Sequence, residues 1–314
     1  MCCKKTQKVG KMKVKNIKTN LKKIGILIIA LIILMIIIQY IESISKNIEL
    51  TQLKNNINRQ MMGYIIKTKS NKVIVIDGGT TEDFQNMQNK IYQLGGTVDY
   101  WFLTHAHDDH AGAFTKIIHN PDIQIKNIYV SLNDEKWYKT YEPDRAEFSK
   151  QLIEILNRED IKEKVKSPSL NEIINIDGIK IEILGIKNPE ITENPGNEQS
   201  MVIKFETGKT NLLILGDTGK KSSEKLINTQ KNKLKSDIVQ VSHHGQDGAT
   251  KELYEVINPS ICLWPTPDYL WNNDNGEGEN TGPWKIFETR SWMEQLKVKK
   301  HIIEKDGDIT ITIK

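Results

Sequence analysis

Residues 104–112 read THAHDDHAG and directly follow a short apolar segment. His105 and His107 are two positions apart, so an extended or tightly turned backbone points both imidazoles the same way. Asp109 and His110 fall on the turn that opens the next predicted helix, where they can hold a second ion. Imidazole and carboxylate together suit zinc, manganese or iron. This stretch therefore predicts a loop that supplies two pairs of ligands to two neighbouring metal ions.

Three other segments combine an apolar run with a polar turn. They read VIVIDGG at 73–79, NLLILGD at 211–217 and VQVSHHG at 239–245. Short strands alternate with helices along the rest of the chain, and two strand-rich halves are each closed by helices. This pattern predicts an α/β fold in which two sheets lie between two helical layers, a four-layer αββα sandwich.

With the 104–112 motif, these segments resemble, in order and spacing, the metallo-β-lactamase superfamily and its HxHxDH signature. The resemblance covers about residues 61–314. Within the superfamily, NEQS at 197–200 and the closing EKDGDITI at 304–311 resemble the hydrolase domain of the ComEC-type competence proteins. The resemblance implies the αββα metallo-β-lactamase fold and a hydrolase with a dinuclear site.

The same resemblance implies a ligand for each ion. His105 and His107 would bind the first ion, Asp109 and His110 would bind the second, and Asp217 would bridge the two. The expected cofactors are two divalent ions, zinc or manganese.

The histidine pair in VQVSHHG leaves one alternative open. We assign His243 as the last ligand of the second ion and His244 as a catalytic group that donates a hydrogen bond or a proton to the substrate. The opposite assignment, with His244 as the ligand, remains open. Asp109 is expected to act in catalysis as well as in metal binding, and Asp77 is expected to orient a ligating imidazole or simply to form a turn.

One expected ligand is absent from the sequence. Many superfamily members supply a further histidine to the first ion between the HxHxDH motif and the bridging aspartate, but no histidine lies between His119 and His243. We expect water or an Asn or Glu oxygen to complete that shell, and a site richer in oxygen would accept manganese.

The N-terminal part predicts a membrane anchor. Residues 1–23 hold nine lysines and no acidic residue, and 24–41 form an apolar run of 18 residues, close to the length of a transmembrane helix. A cleaved signal peptide is the alternative, but no small-x-small site follows the run. The lysines place the N-terminus in the cytoplasm, so a stalk at 42–60 and a hydrolase domain at 61–314 would lie outside it, on the cell membrane.

The charge of the chain limits the class of substrate that we expect. The chain has 44 basic and 40 acidic residues, but without the nine N-terminal lysines 35 basic residues face 40 acidic ones. A domain with this acidic balance disfavours long nucleic acid as a partner. The resemblance to the ComEC-type hydrolase domain implies a phosphodiester or related phosphate substrate, cleaved by a metal-bound hydroxide, and with the charge balance we expect a small-molecule or short phosphodiester substrate. The alternatives are a lactone, amide or thioester hydrolase of the same fold and a non-catalytic cell-envelope binding protein.

Overall fold

The computed structural model describes residues 22–38 and 47–314. Helix α1 spans 22–38, and residues 48–314 form a separate compact unit. Within the described residues, no helix is both long enough and apolar enough to cross a membrane. The predicted anchor at 24–41 is therefore not found there, although its last three residues, most of the basic flank at 1–23 and part of the predicted stalk lie outside the described ranges.

The compact unit is built on two seven-stranded sheets. The strands of the first sheet are β1 (Ile48–Gln52), β2 (Gly63–Lys67), β3 (Val73–Asp77), β5 (Tyr100–Leu103), β7 (Ile128–Val130), β8 (Val165–Lys166) and β16 (Ile309–Ile313), and those of the second are β9 (Ile173–Ile176), β10 (Ile179–Gly185), β11 (Val202–Glu206), β12 (Asn211–Ile214), β13 (Ile238–Gln240), β14 (Ile261–Trp264) and β15 (Lys300–Ile303). Strands β4 (Thr97–Val98) and β6 (Gln124–Ile125) form a small separate pair. The first sheet has the order β16-β1-β2-β3-β5-β7-β8 and the second has the order β15-β14-β13-β12-β11-β10-β9.

Eight helices of this unit cover the outer faces of the sheets or connect their strands. They are α2 (Phe84–Gln93), α3 (Asp108–Ile117), α4 (Glu135–Tyr141), α5 (Ala146–Leu156), α6 (Lys220–Leu234), α7 (Lys251–Ile257), α8 (Asp268–Trp271) and α9 (Ile286–Gln295). Helices α2, α3 and α5 pack on the first sheet, whereas α6, α7 and α9 pack on the second. The predicted four-layer αββα sandwich is confirmed.

The middle core lies between the two sheets. Alternate residues of β3 divide between this core and the helical layer, with Ile74 and Ile76 facing the second sheet and Val73 and Val75 facing the helices. All five residues of β3 are buried, as expected for a strand covered on both faces. This burial explains why the strand reads as a continuous apolar run.

The compact unit begins earlier than the predicted boundary at residue 61. Residues 48–52, assigned above to the stalk, form β1, which pairs antiparallel with both β2 and β16. Ile48 and Leu50 are buried in the core between the sheets. Their period-two spacing is that of a strand with one buried face, and this signal was too short to separate from a polar stalk.

Helix α3 lies unusually close to the loop after β3. The backbone N–H of Ala113 donates to Gly79 O at 2.9 Å, and a Cβ on Gly112 would lie 2.5 Å from Thr81 N and 2.7 Å from Thr80 C. Only glycine permits this approach at position 112. The contact fixes the start of α3, which carries the metal-binding motif.

We expect Gly112→Ala to destabilise the protein by about 1–3 kcal/mol, because the added methyl group must displace backbone atoms rather than a flexible side chain. Urea denaturation followed by circular dichroism measures this change. Lys116→Ala, an exposed substitution on the same helix, is the control and should stay within about 0.5 kcal/mol of the parent protein. Equal stability of the two variants would show that the loop moves aside without cost.

Candidate metal centre

The four motifs picked out in the sequence meet where parallel strands of the two sheets end. Strands β3 and β5 are parallel neighbours in the first sheet, and β12 and β13 are parallel neighbours in the second. The ends of these four strands, the loops after them and the first turn of α3 carry the aspartates and histidines singled out above. Because the carboxyl ends of parallel strands share one edge of a sheet, each pair of loops converges on the same place.

Two groups of side chains at this edge have the composition and spacing of metal sites. In each group, one potential ligand atom per residue lies within 4.8 Å of all the others. The first group consists of His105, His107 and Asp217, and the second consists of Asp109, His110, Asp217 and His244.

Asp217 belongs to both groups. Its Oδ1 lies 3.2 Å from His110 Nε2, and its Oδ2 lies 3.8 Å from His105 Nε2 and 3.7 Å from His244 Nε2. The side chain is 2% exposed. A carboxylate has two oxygens, so one buried aspartate in this position can serve two ions at once.

Hydrogen bonds fix which nitrogen of His110 and His244 faces the centre. His110 Nδ1 donates to Asp77 Oδ2 at 2.7 Å, and Asp77 is held in turn by the backbone N–H of Thr104 at 2.7 Å. His244 Nδ1 donates to the carbonyl oxygen of Pro265 at 2.7 Å. In both rings the outer nitrogen carries the proton, which leaves Nε2 free to bind a cation.

The structure places His243 and His244 differently from our assignment. His244 is fully buried, with Nε2 3.2 Å from Asp109 Oδ2, and it belongs to the second group. His243 is outside both groups and is 19% exposed, with Nε2 4.0 Å from Asp217 Oδ2. The geometry therefore favours the alternative, in which His244 and not His243 is the ligand.

Sequence reasoning missed Glu142, which lies at the end of α4. Its Oε1 accepts a hydrogen bond from His107 Nε2 at 2.7 Å, so the nitrogen of His107 that remains for a metal is Nδ1. A side chain at Gly196 would overlap both partners. A single glutamate before a proline carries no spacing signal that could have pointed to this contact.

Polar groups of the 197–200 segment stand near the place of the missing histidine. Ser200 Oγ lies 3.3 Å from His105 Nδ1 and accepts from the backbone N–H of Asp217 at 2.9 Å. Asn197 donates its amide toward His243 Nε2 at 3.3 Å, and its Oδ1 is buried without a hydrogen-bond partner. The remaining histidines, His119 and His301, are exposed and outside both groups.

The buried polar atoms at this edge fit a bound cation. Buried polar atoms normally find a hydrogen-bond partner, yet five in the two groups have none. They are His105 Nε2, His110 Nε2, His244 Nε2, Asp109 Oδ1 and Asp217 Oδ1. Five unpartnered lone-pair donors on imidazole and carboxylate form the ligand set that divalent ions of the zinc and manganese type bind.

The pKa shifts of Asp217 and His105 favour the protonation states that bind metal. Burial acts to raise the pKa of Asp217, but the imidazoles of His110 and His244 outweigh it and hold the pKa well below its usual value. Burial, then the neighbouring His110 and His107, lower the pKa of His105 well below its usual value. Ionised carboxylates and a neutral imidazole are the protonation states that metal ligation requires.

The pKa of His110 shifts in the opposite direction to those of Asp217 and His105. Burial acts to lower its pKa, but the carboxylates of Asp217 and Asp77 raise it well above the usual value. Without a metal, a proton on Nε2 therefore neutralises part of the local negative charge. A bound cation would replace that proton.

Comparison with known proteins agrees with the geometry. The sequence model of the Metallo-beta-lactamase superfamily matches residues 62–309. ComE operon protein 3 of Bacillus subtilis (strain 168) is 24% identical over 167 residues, which cover 53% of this chain and 20% of that protein. The chain thus spans about a fifth of this relative, and the resemblance inferred from the motifs is confirmed.

Solved structures share the fold at low sequence identity. YhfI from Bacillus subtilis, a metallo-beta-lactamase fold protein, has a TM-score of 0.50 and 11% identity, covering 85% of this chain and 100% of that one. CmlA, a diiron beta-hydroxylase from Streptomyces venezuelae, has a TM-score of 0.53 and 10% identity, covering 85% and 54%. At this level of identity the similarity shows the fold alone.

We expect His244→Ala to weaken metal binding at the second group by more than the roughly 10–100-fold that the loss of an outer hydrogen-bond partner costs. The metal content after dialysis, measured by atomic emission, should fall by about one ion per chain. His243→Ala removes a neighbouring imidazole that lies outside both groups and should keep the parent's content. The reverse result would restore our assignment of His243 as the ligand.

Glu142→Ala should lower the metal affinity of the first group about 10–100-fold, because His107 then loses the carboxylate that fixes the orientation of its ring. Calorimetric titration with manganese should show one weakened site, with the second group unchanged. Glu135→Ala removes the same charge from the other end of α4, where Glu135 pairs with Lys139, and this variant should bind metal like the parent. Unchanged manganese affinity at both sites of Glu142→Ala would mean that His107 binds metal without the hydrogen bond to Glu142.

Proposed function

Because the chain belongs to the metallo-β-lactamase superfamily, we propose that it is a metal-dependent hydrolase with two divalent ions, zinc or manganese, acting on a phosphodiester or related phosphate substrate. The observation that carries this proposal is the pair of ligand groups that share Asp217. Divalent ions bound there would supply Lewis acidity and an activated water nucleophile. A phosphate substrate suits this arrangement, since divalent ions held by these residues would stabilise its negative charge.

The protein's own residues orient the reacting groups. Asp77 and the carbonyl of Pro265 fix two imidazoles of the second group, and Glu142 fixes one of the first. This support keeps the ligands in one geometry before the substrate arrives, which lowers the cost of organising the transition state.

His243 is the residue best placed to exchange a proton or hydrogen bond with the substrate. Its Nδ1 faces the carbonyl oxygen of Asp247 at 3.3 Å, and the side-chain amides of Asn197 and Gln246 lie 3.3 and 3.2 Å from its Nε2. Burial is the main cause that lowers the pKa of His243, so the ring is neutral near pH 7. We propose that His243 takes the catalytic role that we first assigned to His244.

A first experiment follows the hydrolysis of bis(p-nitrophenyl) phosphate by the full chain. Metal is removed with a chelator and then restored as manganese or zinc. We expect turnover that depends on added metal and falls to the rate of the metal-free protein in Asp109→Ala, since Asp109 is one of four side chains in the second group.

Asp160→Ala serves as the control, because Asp160 is an exposed aspartate that pairs with Arg158 and lies outside both groups. This variant should keep the parent's rate. Tight metal binding without turnover of the diester would reject the phosphodiesterase proposal and direct the search to lactone, amide or thioester substrates, or to a binding role.

The cellular location stays a prediction. A membrane anchor with the catalytic domain outside the cytoplasm rests on the lysines and the apolar run of residues 1–41. The small-molecule or short phosphodiester substrate rests on the proposed activity and on the acidic balance of the chain beyond residue 23.

A further inference from the structure

A cleft of about 200 Å³ opens beside the second ligand group. Only one of its lining residues, Asp109, belongs to that group. The cleft is lined by Arg59, Gln60, Thr80, Asp108, Asp109, Arg145 and Tyr269. Any molecule bound there would lie directly against the metal centre.

The cleft is rich in hydrogen-bond donors. Gln60 Nε2 is buried and has no hydrogen-bond partner, which is rare for a donor and leaves its N–H groups unused by the protein. Tyr269 packs edge-on against Trp284, with ring centroids 5.2 Å apart. Burial raises the pKa of the Tyr269 phenol, so this group keeps its proton and can donate.

Two arginines supply positive charge. Arg145 Nη1 lies 2.8 Å from Asp108 Oδ1 and 3.7 Å from Asp109 Oδ1, so Asp108 holds the guanidinium over the cleft. Arg59 is 63% exposed, and its partner Glu82 is 3.9 Å away, a weak contact that leaves the guanidinium available. Planar guanidinium groups match the oxygens of phosphate in pairs of hydrogen bonds.

The charge balance favours an anion once the centre holds its ions. Asp108 is neutralised by Arg145, and Asp109 is offered to a cation in the second group. The net charge that remains facing the cleft is that of Arg59, next to the hydrogen-bond donors of Arg145, Gln60 and Tyr269. The bound ions add further positive charge at one wall.

We propose that this cleft binds a second phosphate group of the substrate, next to the phosphoester that is cleaved. This inference rests on the proposed function, since it places a phosphoester at the metal centre. It narrows the substrate to phosphoesters with a neighbouring phosphate and gives Arg59, Gln60 and Arg145 the role of selecting them.

Two substrates that differ only in this group test the proposal. Thymidine 5′-(p-nitrophenyl phosphate) has one phosphate, and its 3′-phosphorylated form has a second. With the full chain loaded with manganese, we expect kcat/KM to be about tenfold or more higher for the doubly phosphorylated substrate, as expected for hydrogen bonds to a charged group.

Variants assign the preference to the cleft. Arg59→Ala, Arg145→Lys and Gln60→Glu should bring the ratio of the two kcat/KM values toward one while metal content, measured in parallel, stays that of the parent. Gln60→Glu replaces a donor with a carboxylate of the same shape and so repels the anion. Arg158→Ala removes an arginine that pairs with Asp160 outside the cleft and should leave the ratio unchanged.

A binding measurement separates this inference from the proposed function. Calorimetry compares thymidine 3′,5′-bisphosphate with thymidine 5′-monophosphate on the metal-loaded protein and needs no turnover. Tighter binding of the bisphosphate that is lost in the three variants supports the cleft even if neither ester is hydrolysed. Hydrolysis without preference, or a preference that survives all three substitutions, overturns the inference and leaves the hydrolase proposal standing.

Discussion

The carboxylate of Asp217 is the point at which the two halves of this fold depend on each other. It follows β12 in the second sheet, yet the two nearby imidazoles of His105 and His110 come from the loop after β5 in the first sheet and from the first turn of α3. An ionised carboxylate buried to this degree is costly unless cationic groups compensate it. The sandwich therefore brings together, at one edge, carboxylates and imidazoles from both halves of the fold that could share a cation.

Backbone contacts at the same edge fix the position of one sheet relative to the other. The N–H of Met201 donates to Thr104 O at 2.8 Å, directly beside the metal-binding loop. Gly216 has φ +57, and a Cβ there would lie about 3.0 Å from the side chains of Ser200 and Thr104. This close approach places the loop after β12 against the loop after β5. A change in how the two sheets pack would therefore move the candidate ligand residues relative to one another.

The sequence carried enough information for the architecture and for most of the centre, because those signals are local. An apolar run that ends in Asp-Gly-Gly or His-x-His shows both a buried strand and the chemistry at its end. Adjacent residues were harder to assign. Both His243 and His244 adopt a left-handed backbone, with φ 50 and 54, so the alternation of side chains expected after β13 does not hold there, and the buried ring belongs to the second residue. Glu142 and the cleft arginines come from segments without a motif, and only the folded chain brings them to the centre.

The two ligand groups are unequal, and this inequality follows from the missing histidine. The second group has four side chains, two of them imidazoles fixed by Asp77 and Pro265. The first has three and relies on a glutamate contact to hold His107. Fewer ligands bind an ion less tightly, and a vacant coordination position is what catalytic metal sites keep for water or substrate. The four side chains of the second group would therefore hold an ion more tightly than the three of the first, which would leave room for water or substrate.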